Sequence, residues 1–116
     1  MTDSELTERM NEAFREINAA IEERGALLEL NRKPDFRWNG IARLPGGKLL
    51  INAQKTGKQP TPESTKPVAE AMVDLTLEGR FIARVLLFAA RNEVELPGGA
   101  RKPFDHSGIA RMFSSL

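Results

Sequence analysis

Arg84, Arg91, Asn92 and Arg101 crowd one stretch of the chain, beside its most apolar segment. Guanidinium groups are planar forks of N–H donors that match phosphate and carboxylate oxygens, so their convergence would make an anion site. If the stretch is helical, Arg80, Arg84 and Arg91 share a stripe, with Arg84 and Arg91 two turns apart on one face. Asn92 would end that helix, and the turn Pro97-Gly98-Gly99 would bring Arg101 back to it. Trp38 or Phe104 would supply a wall on which a base or sugar ring could stack. Such a set predicts capture of a small anionic ligand such as a nucleotide, because a small ligand needs only a few converging polar groups in an apolar setting.

Each of these residues also has a plainer role open to it. Arginines at the edge of a buried helix commonly hold their stems on apolar surface and their heads in water. Trp38 lies on the apolar side of a predicted strand, where it reads as a core anchor. Leu-Pro-Gly-Gly occurs twice, at 44–47 and 96–99, each copy followed by a base (Lys48; Arg101 and Lys102). Neither copy has the glycine and lysine spacing of a phosphate loop, and both read as turns.

Catalysis finds little material. There is one histidine, His106, with no cysteine and no tyrosine. The serines fall in caps, the linker and the C-terminus, and none sits in a nucleophile-elbow pattern. His106 has no second histidine, and Asp105 and Glu95 are not at ligand spacing from it, so no metal site and no cofactor is expected. A non-enzymatic protein is the expectation.

The net charge is +1, from 17 basic and 16 acidic residues, which argues against a general nucleic-acid binder. That near balance hides an asymmetry. Residues 1–24 hold seven acids and three bases, whereas residues 25–60 hold two acids and seven bases. The basic segment, with Arg37, Arg43 and Lys48, supports the alternative function: a protein–protein interaction module or inhibitor acting through a basic hairpin and linker over 31–60.

These residues need elements to position them. Thr2 and Glu5 have capping-box spacing, and Leu6, Met10, Ala13, Ile17 and Ala20 recur in alternating steps of four and three, widened by Phe14 and Ile21. An amphipathic helix is predicted up to Gly25, followed by a short strand over 27–31. From Phe36 the period becomes two, and Pro45-Gly46-Gly47 separates strands 36–44 and 48–54, an antiparallel hairpin. The stretch 55–66 lacks periodicity and reads as an exposed linker. Val68, Met72, Leu75, Ile82, Leu86 and Ala89 fit one face of a helix from Pro67 to Asn92. A strand at 93–96 and a short final helix, capped by Asp105 or Ser107, complete the prediction.

The fold class expected is therefore α+β: one domain, 1–116, with an N-terminal helix and a long central helix packed on a small antiparallel sheet. A helix as apolar as 81–90 needs more cover than so short a chain supplies. That predicts a homo-oligomer, a dimer, burying either the a/d face of residues 6–21 or the surface of 81–90. The acidic N-terminus has no secretory pattern and no apolar run approaches a membrane span, so a cytoplasmic protein without a membrane partner is expected. Absence of cysteine fits the reducing compartment.

Overall fold

Thr2 sets the start of the first helix, its hydroxyl accepting the Glu5 N–H at 3.1 Å. The structure, a computed structural model, describes residues 2–56 and 68–113. Helix α1 runs Asp3–Glu23. It ends in a Schellman arrangement, with the Gly25 N–H donating to Glu22 O at 2.9 Å and the Ala26 N–H to Ile21 O at 3.3 Å. The predicted stripe is the buried one: Leu6, Met10, Ala13, Phe14, Ile17 and Ile21 all lie inside.

What covers that stripe is the chain's own sheet. Among the described residues seven strands follow: β1 (Glu29–Arg32), β2 (Trp38–Leu44), β3 (Gly47–Lys55), β4 (Ala71–Leu77), β5 (Arg80–Leu87), β6 (Asn92–Glu95) and β7 (Arg101–Pro103). They lie in sequence order, each antiparallel to the next. A last helix, α2 (His106–Phe113), is capped by Asp105, whose Oδ1 accepts the Gly108 N–H at 2.9 Å. Alternate residues of the strands, among them Ala42, Leu49, Ile51, Val73, Leu75 and Val85, join the α1 stripe and Ile109, Met112 and Phe113 of α2 in one core. The helices therefore cover one face of the sheet and leave the other outward.

Helix α1 and a strand near 93–96 stand where the residue pattern puts them, the predicted 36–54 hairpin is found at 38–55 with Phe36 in the turn before β2, and the 27–31 strand is found at Glu29–Arg32. The long central helix and the small sheet are overturned. Within the span read as that helix, the described residues form the hairpin β4–β5, making this mostly a sheet protein. The physical reason lies in the pattern itself. Ala71, Val73, Leu75 and Leu77 are buried while Met72, Asp74 and Thr76 are only half-buried, a period of two. Glu78 and Gly79, both at positive φ, form the two-residue turn. On β5 the register shifts, with Leu75 facing Ala83 and Thr76 facing Phe81, so Ile82 is an extra residue on its strand. Ile82 and Leu86 are buried along with Ala83, Val85 and Leu87, and from Phe81 the strand reads as an apolar run broken only by Arg84. Of the predicted linker 55–66, Lys55 closes β3 and residues 57–66 lie outside the described residues.

No described helix is long and apolar enough to cross a membrane. The apolar surfaces that suggested a partner are largely covered within the chain: Ile17 and Ile21 are fully buried, as are Ala83, Val85 and Leu87.

Candidate functional site

Because strand side chains alternate, every buried core row has an outward row beside it. The register aligns one outward residue from each strand: Asn31 faces Asn39, Asn39 faces Asn52, Asn52 faces Asp74, Asp74 faces Arg84, Arg84 faces Glu95, and Glu95 faces Arg101. This polar row crosses the entire sheet, and its two halves differ chemically.

The half on β4–β7 neutralises itself. Arg84 Nε donates to Asp74 Oδ1 at 2.6 Å, and Arg101 Nε donates to Glu95 Oε2 at 3.4 Å. The Arg84 guanidinium is held above its ordinary range, first by the hydrogen bond to Asp74, which outweighs the opposing effect of burial, and then by the charges of Asp74 and Glu95. Nearby, Arg91 Nε donates to Glu93 Oε2 at 2.6 Å, and its guanidinium lies 5.6 Å from the Phe88 ring centre.

The half on β1–β3 is uncharged and its side chains are not paired with one another. Among the described residues, the side-chain amides of Asn31, Asn39 and Asn52 make no hydrogen bond. Beside them Ile41 and Leu50 face each other, Leu50 being 36 % exposed. These residues, with Glu29, Leu30 and Gly40, line an open concavity of ≈ 390 Å³. Farther along the same face Arg43 and Lys48 stand directly opposite one another, both exposed. Neither side chain has an ionic partner among the described residues. Glu78 is close by, but its Oε1 accepts the Lys48 backbone N–H at 2.6 Å.

The residues picked out in the sequence are distributed over four places. Arg84 and Arg101 share the outward row, on either side of Glu95. Arg91 lies in the turn after β5, beside Glu93. Asn92 and Phe104 are on the helix side, lining a cleft of ≈ 450 Å³ with Glu12, Glu16 and Asp105. Asn92 accepts a hydrogen bond there from Arg9, which also donates to the carbonyls of Phe88 and Ala89. Trp38 is buried on the core face of β2, its ring 5.5 Å from that of Phe14 and under the Arg32 guanidinium at 5.0 Å. The two-turn helical spacing that joined Arg84 to Arg91 does not exist in a strand. Trp38 and Arg84 belong to opposite faces of the sheet.

No protein-family model, curated protein or solved structure matches the chain. Among the described residues, no group of three or more acidic or histidine side chains is placed to hold a metal ion.

The amide row went unnoticed in the sequence, although it left a trace there. Asparagine is depleted in strands, so Asn39 and Asn52 on the outward side of a predicted hairpin mark positions kept for something other than strand stability.

Proposed function

We propose that the chain is a non-enzymatic binding module that docks an acidic protein surface on the outward face of β1–β3. The observation that carries this reading is the pair Arg43 and Lys48. Like charges directly opposite each other in a sheet are destabilising, and an acidic partner would relieve that cost. Beside the pair, Ile41 and Leu50 offer apolar contact, and the amides of Asn31, Asn39 and Asn52 offer donors and acceptors for a partner's backbone. The basic hairpin of the sequence is thus the proposed surface, with a cytoplasmic setting in keeping with the lack of cysteine.

The small-anion reading centres on Arg84 and Arg101, where a phosphate would have to compete with Asp74 and Glu95 for the guanidinium donors. One experiment separates the two. A fluorescently labelled chain is applied to an array of acidic peptides carrying apolar residues, and the unlabelled chain is titrated calorimetrically with a nucleotide panel. Retention on the array, lost in Leu50→Asp and in Arg43→Glu/Lys48→Glu, is the expected result. A nucleotide heat abolished by Arg84→Ala or Arg101→Ala and unchanged by Leu50→Asp would hand the site to the arginines and end the docking proposal.

A further inference from the structure

The two edges of the sheet are built differently. At one edge β7 is three residues long and ends in Pro103, which has no N–H to offer, so that edge is blunted. At the other, β1 contains no proline and, among the described residues, pairs only with β2. The Lys33 N–H donates to Arg37 O at 3.1 Å, on the β2 side. Backbone groups of an antiparallel strand alternate in direction, so Glu29, Asn31 and Lys33 address β2, while Leu30 and Arg32 turn their N–H and C=O groups to the open edge.

We infer that a second copy of this chain pairs on that edge, β1 against β1 about a two-fold axis through Asn31. The pleat allows two symmetric registers that keep outward residues beside outward residues, one centred on Leu30 and one on Asn31. Charge chooses between them. Centred on Leu30, Glu29 faces the partner's Asn31 and Lys33 faces the partner's Leu27, and no ion pair forms. Centred on Asn31, Glu29 faces the partner's Lys33, twice by symmetry. In that register Leu30 and the partner's Arg32 exchange both backbone hydrogen bonds, again twice. The four N–H and C=O pairs left open by the fold are thereby satisfied.

The pairing stands on this edge geometry. Its bearing on binding rests on the docking proposal above: the row Asn52, Asn39, Asn31 would continue without a break into the partner's Asn31, Asn39, Asn52. The concavity beside Glu29 and Asn31 would gain its missing wall from the second copy. The protein takes its acidic partner on a surface twice as long as one chain provides.

The chain has no cysteine, so a single introduced thiol is unique. Asn31 and its copy form a non-hydrogen-bonded pair with Cα atoms ~4.5 Å apart, within disulfide reach. Asn52 and its copy are five strand spacings apart, about 24 Å. The expected result is a dimer by sedimentation at high-micromolar concentration, and rapid disulfide dimerisation of Asn31→Cys but not of Asn52→Cys under mild oxidation. Glu29→Lys should weaken the dimer roughly tenfold through loss of two exposed ion pairs, and Glu29→Lys/Lys33→Glu should restore it. Sedimentation as a monomer, with Asn31→Cys crosslinking no faster than Asn52→Cys, overturns the pairing. Preferential crosslinking of Leu30→Cys overturns this register. Both readouts use the chain alone, so a failed peptide array with an intact crosslink rejects the docking proposal and leaves the dimer standing.

Discussion

Asp74 and Arg84 face each other across β4 and β5 with Nε and Oδ1 2.6 Å apart, and Glu95 and Arg101 carry the alternation of charge to the sheet edge. The two side chains are 30 % and 36 % exposed, which screens the pair and keeps its worth small. A double-mutant cycle on Asp74→Ala and Arg84→Ala should give a coupling of about 0.5 to 1 kcal/mol by urea denaturation, shrinking as salt is added. Arg84→Glu should cost more than Arg84→Ala, because it places three carboxylates side by side in one row. Equal costs for the two would show that the row is not electrostatically coupled.

The turn at Glu78 and Gly79 offers a second measurement. Gly79 has φ of 79° and a Cβ there would touch nothing within 4 Å, so Gly79→Ala should cost about 1 to 2 kcal/mol from backbone strain alone. Gly47 has φ of 136°, and a Cβ there would lie 2.6 Å from Glu78 Cγ. Gly47→Ala should therefore cost more, since it also disturbs the Glu78 carboxylate that holds the Lys48 N–H. Urea midpoints of the two variants check the order.

The sequence pattern of α1 invites Ile17→Glu as a way to separate subunits, yet the structure gives a different outcome. Ile17 is fully buried against the chain's own sheet, so Ile17→Ala should lose about 2 to 5 kcal/mol and Ile17→Glu should unfold the domain. Leu27, 77 % exposed, should accept Lys with a change within about 0.5 kcal/mol. Near-ultraviolet circular dichroism and thermal melts distinguish unfolding from dissociation. A folded Ile17→Glu monomer would mean that α1 packs on a partner after all.

Local chemistry was legible where one element carries its own signal. Thr2, Glu5 and Gly25 bound α1, and the alternation from Trp38 to Leu44 marks β2 whatever lies beside it. The segment from Ala71 to Leu87 misled because Leu86 is buried on the outward side and Ile82 sits at the bulge, which fills the polar half of the strand period with apolar residues. A run apolar on all sides fits a buried helix and a doubly covered strand equally well, and only Asp74, Thr76 and the Glu78-Gly79 turn argued for the strand. The polar row was harder still. Arg84 and Arg101 were picked out for their chemistry, but Asn31, Asn39 and Asn52 join them only through the register of six strand pairings, which no periodicity within one strand records.

The unbroken strand order from β1 to β7 also governs how the chain finds its fold. Each strand meets its sequence neighbour, so pairing can advance hairpin by hairpin with little loop-closure entropy at most steps. The long-range step is the docking of α1, whose Arg9 reaches the carbonyls of Phe88 and Ala89 and the side chain of Asn92 near the other end of the chain. That contact has no partner until β5 and β6 are in place. The barrier to folding should accordingly lie in laying α1 on a sheet already assembled, and Arg9→Ala should slow folding more than it hastens unfolding.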